Sequence, residues 1–249
     1  MADDLGQYNE MAYYYDSLMD DVDYDAWAKY IIKLINMYNV VQNDVLDMAC
    51  GTGNISVRMA KSGYDVTAFD ISQDMLSVAS MKALESKVRI NFLAQDMYDI
   101  KLDGKYGIIL CSCDSINYII DPKKLKQVFE WVYGHLKDGG IFIFDINSSY
   151  KLRKIIGENT FTYDNDDIVY IWDNHMGDDN TIEFYLTFFV KKGNLYHRFD
   201  ETHIERIYEV SEIEKFLKES GFSRISKYNG FTLDGICDMS ERVNFAVQK

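Results

Sequence analysis

The run Val45-Leu46-Asp47-Met48 feeds into Ala49-Cys50-Gly51-Thr52-Gly53-Asn54, a turn built on two glycines. Glycine there lets the backbone bend tightly and lets a ligand approach without meeting a Cβ. Three carboxylates are spaced around it. Asp47 stands four residues before Gly51, Asp70 follows Gly53 by 17 residues at the end of a second apolar run, and Asp96 ends a third. A strand-end carboxylate such as Asp70 can accept hydrogen bonds from both hydroxyls of an adenosine ribose, a device that dinucleotide-binding proteins share. Asp47 separates the cases. It would repel the pyrophosphate of a nicotinamide dinucleotide and attract a cofactor with a cationic amino-acid end. Ser56 also stands where the dinucleotide fingerprint has a third Gly or Ala.

The elements that must hold these residues are legible in the apolar spacing. Trp27, Tyr30, Ile31, Leu34, Ile35 and Tyr38 recur at helical intervals, which predicts an amphipathic helix over 25–38. Strands are expected at 44–48, 65–69, 88–94, 106–111 and 141–145. Helices are expected after the glycine turn to about Ser62, from a Ser72 cap to about Leu84, and from the Asp121-Pro122 start to Gly139-Gly140. Strands alternating with helices imply a parallel, doubly wound sheet. Between about 158 and 209 the period falls to two: Ile182, Phe184, Leu186, Phe188 and Val190 alternate with Glu183, Tyr185, Thr187 and Phe189. Turn signals at 177–180 and 192–194 make this an antiparallel sheet of three or four strands. Ser211-x-x-Glu214 reads as a capping box, and 222–228 and 243–247 as closing strands. The fold expected is α/β: a doubly wound, Rossmann-like, seven-stranded, mostly parallel sheet with an inserted antiparallel sub-domain. Its parts are an N-terminal helical cap at 1–40, a core at 41–157 and 210–249, and the insert at 158–209.

With these motifs in place the chain resembles the class I S-adenosylmethionine-dependent methyltransferases. The first family motif, an acid followed by small residue–Gly–x–Gly, appears as Asp47-Met48-Ala49-Cys50-Gly51-Thr52-Gly53. The second acid is Asp70 before Ile71, and the third is in Gln95-Asp96-Met97. The later Leu-Lys-Pro-Gly-Gly block appears as Leu136-Lys137-Asp138-Gly139-Gly140, with Asp in place of Pro. The resemblance implies S-adenosylmethionine as cofactor. It implies that Asp47 and the turn Ala49, Cys50, Gly51, Thr52 and Gly53 hold its methionine part, that Asp70 binds the ribose, and that Ile71 and Met75 pack on adenine. Asp96 would accept from the adenine amino group and the Met97 backbone would reach a ring nitrogen. The backbone around Cys111 would take the cofactor's amino group, and Tyr15 or Tyr24 its carboxylate.

Composition limits the acceptor. The charge is 26 basic less 40 acidic residues, or −14, which argues against gripping a phosphate backbone or an anionic membrane surface. Apolar residues are 47% of the chain, enough for a packed core, and the excess among the 19 tyrosines concentrates in the N-terminal cap and the insert. Four cysteines without a C-x-x-C pair predict neither a zinc ribbon nor a disulfide scaffold, and no metal site is expected. The acidic, polar start and the absence of an 18-residue apolar run point to a cytoplasmic chain outside the membrane.

After the fourth strand, Ser112-Cys113-Asp114-Ser115-Ile116-Asn117 lacks the Asn/Asp-Pro-Pro-Tyr signature of base-amine methyltransferases. The only proline, Pro122, is followed by Lys, so no Pro-Cys nucleophile for cytosine exists. A small-molecule acceptor is expected and a nucleic acid is not, with the chain a monomer or homodimer. The insert is similar in topology to a branch that methylates small amines, such as glycine or amino sugars on a nucleotide carrier. Asp114, Asn117, Tyr118 and His203 are the catalytic candidates, His203 as proton acceptor, and Ser240-Glu241-Arg242 could close the pocket. Transfer to an amine nitrogen by in-line displacement is the leading reading. O-methylation and a non-catalytic cofactor-binding sensor or partner subunit are the alternatives.

Overall fold

A computed structural model describes residues 10–249, so 1–9 of the expected N-terminal cap lie outside the described residues. The alternating apolar runs form strands β1 (Asp44–Met48), β2 (Asp65–Asp70), β3 (Ile90–Ala94), β4 (Tyr106–Cys111) and β5 (Leu136–Asn147). A second group is β6 (Thr160–Asp164), β7 (Ile168–Met176), β8 (Thr181–Lys192) and β9 (Leu195–Arg206), and β10 (Arg224–Asn229) and β11 (Arg242–Gln248) close the chain. The helices are α1 (Tyr15–Leu18), α2 (Tyr24–Met37), α3 (Asn54–Lys61), α4 (Gln73–Glu85), α5 (Pro122–His135) and α6 (Val210–Glu219).

Seven strands make one sheet in the order β10–β11–β5–β4–β1–β2–β3, parallel except where β11 runs against both neighbours. Its central strands β1, β4, β5 and β11 are buried on both faces, which is why they read as continuous apolar runs. Leu46, Met48, Phe69, Phe142 and Phe144 pack on one side with residues of α5 and α6. Val45, Val66, Ala68, Ile108 and Leu110 pack on the other with Trp27, Ile31 and Leu34 of α2. The order reverses between β1 and β4, and a crevice opens outside the carboxyl ends of strands at such a point.

Several boundaries follow their expected chemistry. Ser72 Oγ accepts from Met75 N at 3.2 Å, Asp121 accepts from Lys123 N at 2.8 Å, and Pro122 occupies the first turn of α5. Two expectations are corrected. Ser211 is not an N-cap, because α6 starts at Val210 with Glu209 before it. Tyr208 is fully buried with its hydroxyl donating to Ile119 O, and Glu209 accepts from Ser149 Oγ at 3.0 Å, so the chain enters the helix earlier than the box suggests. The glycine pair does not precede β5 but lies within it. The register with β4 shifts between Tyr106 and Ile108, Gly139 has φ +75°, and a Cβ on Gly140 would meet Gly107 O at 2.7 Å. A 3₁₀ turn (Ser115–Tyr118) and a π-helical segment (Lys151–Ile156) were not anticipated.

The other four strands form a separate antiparallel sheet in the order β6–β7–β8–β9. Its register pairs Tyr170 with Phe188, Trp172 with Leu186, and Phe184 with His203. The period of two therefore gathers these six side chains on one face and sends Tyr185 and Phe189 to the other.

Candidate active site

The turn after β1 is left-handed at three positions: Ala49 (φ 51°), Gly51 (φ 53°) and Gly53 (φ 73°). A Cβ on Gly53 would meet Ala79 Cβ at 2.9 Å, so this glycine lets α3 and α4 approach. A Cβ on Gly51 would project into open space, and its N–H donates to Asp70 Oδ2 at 2.8 Å. Asp70 Oδ1 accepts from Ser72 N at 2.9 Å, so the second carboxylate braces the turn and the start of α4. Asp16 ties the N-terminal segment to the same turn. It accepts from Thr52 Oγ1 at 2.7 Å and Asn54 Nδ2 at 2.8 Å and pairs with Lys82 Nζ at 2.6 Å.

Asp47 is buried and accepts from Ser56 Oγ at 2.5 Å. Burial, with the nearby Asp70 charge, pushes its carboxyl up to about 7. Asp70 is also raised, chiefly by burial. A buried and a half-buried carboxylate with no cation among the turn residues suit a ligand that brings positive charge.

The cleft at the switch point is lined by Tyr15, Tyr24, Asp47, Ala49, Cys50, Gly51, Thr52, Asp70, Ile71, Met75 and Met97 of the expected set. Gln95 and Asp96 line an adjoining recess that shares Ile71, Met97 and Tyr118. Two expected residues stand behind the surface. Gly53 shapes the turn, and Cys111 is fully buried with Sγ 3.9 Å from Met97 Sδ. The lining is continued by Ser112, Cys113, Ser115 and Tyr118.

Beyond Tyr15, Cys113 and Tyr118 lies a larger cavity, about 420 Å³ against about 140 Å³ for the cleft, between the antiparallel sheet and the core. Asp114, Tyr118, His203 and Arg242 line it. Arg242 Nη1 donates to Asp114 Oδ1 at 2.7 Å and to Asp145, and its guanidinium lies 5.5 Å from the Trp27 ring centre. Burial opposes the charge on Arg242, but the two carboxylates outweigh it and hold the proton more firmly than usual. His203 is 2% exposed, stands edge-on to Tyr118 at 6.0 Å, and has Nε2 3.3 Å from Glu201 Oε2.

Asn117 is not brought to this cavity. It is fully buried, donates from Nδ2 to Arg206 O at 3.0 Å and accepts from Asn147 N at 3.0 Å, which joins β5 to the end of β9. Ser240 Oγ accepts from Cys237 N at 2.9 Å, a turn contact before β11.

Sequence reasoning missed Asp145, Lys151 and Glu205. Lys151 Nζ donates to Asn147 Oδ1 at 2.9 Å, and Asn147 Nδ2 donates to Glu205 Oε2 at 3.4 Å. Burial lowers Lys151, and burial with the Asp114 charge pushes Glu205 well up. A signal for Glu205 existed: it shares the parity of His203 and Phe199, so an acid falls at inward-facing positions of a strand. Lys151 lies on a π-helical segment that no periodicity announced.

Residues 45–140 match a family model described as a methyltransferase domain. A putative methyltransferase of Bacillus subtilis (strain 168) is 38% identical over 97% of this chain and 97% of its own length. A crystal structure of an S-adenosylmethionine-dependent methyltransferase from Clostridium acetobutylicum ATCC 824 is 40% identical, with a TM-score of 0.90 over 97% of this chain and 98% of that one. A sugar N-methyltransferase from Streptoalloteichus sp. ATCC 53650 shares the fold at 17% identity, with a TM-score of 0.80 over 95% of this chain and 92% of that one. The chain belongs to the class I S-adenosylmethionine-dependent methyltransferases, and S-adenosylmethionine is its cofactor.

Proposed function

Proceeding from that membership, we propose that the protein transfers a methyl group to an amine nitrogen of a small molecule held between the core and the antiparallel sheet. The observation that carries the reading is the meeting of the cofactor cleft and an acid-bearing aromatic cavity at Tyr15, Cys113 and Tyr118.

The residues fit the cofactor. The open space beside Gly51 admits its backbone approach, and ionised Asp47 faces its cationic amino-acid end. Asp70 retains lone pairs for the ribose hydroxyls beyond its two backbone contacts, and Ile71, Met75 and Met97 offer apolar surface to adenine. Tyr15 and Tyr24 line the same cleft and would meet the cofactor's carboxylate. The bound cofactor supplies a methyl on a positive sulfonium, activated for in-line displacement.

The chain's own groups align the acceptor and manage its proton. Asp114, held in place by Arg242, orients the amine, and Tyr118 forms the wall between the two compartments. His203 accepts the proton that the nitrogen loses, with Glu201 beside it to stabilise the imidazolium. The acceptor is a small molecule and not a nucleic acid, in keeping with the −14 charge. A cytoplasmic setting agrees with four free thiols, three of them buried or half-buried.

The test is a panel of small amines and matched alcohols incubated with methyl-labelled S-adenosylmethionine, with products read by mass spectrometry. An N-methyl product is expected. O-methyl products alone would overturn the nitrogen reading. Cofactor binding with no product from either panel would make the protein a binding module.

A further inference from the structure

The chemistry of the acceptor cavity says more about the body that carries the amine. We infer that this body is uncharged, apolar and of aryl size, and that it bears no phosphate or nucleotide. The inference rests on the nitrogen reading above and deepens it.

One wall of the cavity is the face of the antiparallel sheet. Trp172, Phe184, Leu186 and Phe188 stand there in adjacent register on β7 and β8, and Trp27 and Phe231 face in from the core side. Trp27 and Phe231 are in tilted contact at 4.6 Å, and Trp172 and Phe184 meet edge to face at 5.5 Å. Such a surface gains from covering apolar area and from stacking. A sugar laid against it would leave its hydroxyls without partners.

The charged lining is acid-rich: Asp21, Asp114 and Glu205 stand with Lys151 and Arg242. Among the described residues lining the cavity, Lys151 and Arg242 are the only lysine and arginine. Arg242 is shared by Asp114 and Asp145, and Lys151 is held at Asn147 with Glu205 on the far side of the same amide. Three buried or half-buried carboxylates thus meet two cations. A diphosphate would add about two negative charges to a lining that already carries Asp21, Asp114 and Glu205; among the described lining residues Arg242 is shared by two carboxylates and only Lys151 is left to meet it, against the rule that phosphate sites supply Arg or Lys. An ammonium is the complementary guest, and aromatic walls favour it further.

The wall and the charges therefore select the same ligand: a cationic head at Asp114, and a flat apolar body along β7 and β8. For transfer the bound ammonium first gives up a proton to the chain or to solvent; the lone pair this frees forms the new N–C bond, the S–C bond breaks with its pair remaining on sulfur, and the methylated amine leaves as the ammonium.

The test is titration calorimetry on the full chain saturated with S-adenosylhomocysteine. The probes are tryptamine, 2-phenylethylamine, 2-phenylethanol and uridine diphosphate-glucosamine. The two arylamines are expected to bind at least about ten-fold more tightly than the nucleotide sugar, since removal of matched charge and apolar contact is each worth that much. Phe184→Ala should weaken tryptamine by about ten-fold or more while leaving S-adenosylhomocysteine affinity unchanged, which shows that the variant is folded. Tighter binding of uridine diphosphate-glucosamine, or tryptamine binding that ignores Phe184→Ala, would overturn the inference and leave N-methylation standing. Binding of 2-phenylethanol as tight as that of 2-phenylethylamine, with O-methyl product, would remove the nitrogen reading and keep the apolar body.

Discussion

Arg242 Nη1 donates to Asp114 Oδ1 at 2.7 Å across 128 positions of sequence, which binds the start of the last strand to the loop after β4. Asp145 completes the contact, because its two oxygens also accept from Cys113 N and Asp114 N, each at 3.0 Å. One arginine therefore neutralises the carboxylate that shapes the loop and the carboxylate that lines the larger cavity. Replacing it with a neutral side chain strands both. Arg242→Met should cost about 3–5 kcal/mol, the range for removing one partner of a buried ion pair. Asp114→Asn should cost less, since Arg242 keeps Asp145. Urea denaturation of the three proteins checks this, and a loss below about 1 kcal/mol in Arg242→Met would contradict it.

Cofactor affinity should depend on pH through Asp47. Its carboxyl titrates at about 7 in the folded protein because it is buried and close to Asp70. The folded chain thus binds a proton there that the unfolded chain releases near pH 4, so the cofactor-free protein loses stability as pH rises from about 4 to about 7. A cationic ligand favours the ionised form, so binding expels the proton and tightens with pH across the same titration. Affinity for S-adenosylmethionine should rise by about ten-fold between pH 6 and pH 8. Asp47→Asn should bind more weakly and with a flat profile. Calorimetry at the two pH values decides the matter, and wild-type affinity independent of pH would remove Asp47 from the cationic end.

The two glycines of the turn should fail in different ways. Both have positive φ, so alanine at either is strained by about 1 kcal/mol. A Cβ at position 53 also meets Ala79 at 2.9 Å, whereas one at position 51 meets nothing and enters the cleft. Gly53→Ala should lower stability by about 2–3 kcal/mol, adding overpacking to the strain. Gly51→Ala should lower it by about 1 kcal/mol and yet abolish S-adenosylhomocysteine binding. Thermal unfolding and calorimetry on both variants separate the effects. Equal stability losses would show that the two positions play the same part.

The strand and helix order was legible because each layer carries its own period. Continuous apolar runs gave the buried strands, 3.6-residue spacing gave α2 and α5, and alternation gave β8 and β9. The cleft at the switch point was legible for the same reason, since Asp47, Gly51 and Asp70, which line it together, lie at fixed offsets on consecutive elements. The larger cavity was not. Arg242, Asp114 and Asp145 meet only when β11 slots beside β5, and no local pattern records a contact over 97 or 128 positions. Asn117 misled for a related reason. A polar residue in a loop beside a site looks functional until its amide is found clamped between Asn147 and Arg206. The Ser211 box failed because tertiary anchoring of Tyr208 set where the helix begins.

His203 offers the sharpest separation of chemistry from structure. It is carried on β9 opposite Phe184, its ring is edge-on to Tyr118 where the two compartments meet, and Glu201 lies 3.3 Å from Nε2. A purely structural histidine here would fill space, so a glutamine of similar reach would disturb packing but not proton transfer. A proton acceptor would be missed in the rate. His203→Gln should lower kcat by about 10²–10⁴-fold, the range for losing a positioned acid or base. S-adenosylhomocysteine affinity should stay within about two-fold, because the residue lies outside the cofactor cleft. Steady-state rates from pH 5.5 to 9 with an accepted amine supply the comparison. A variant within about three-fold of wild type at every pH would leave His203 with packing alone and pass the proton to solvent.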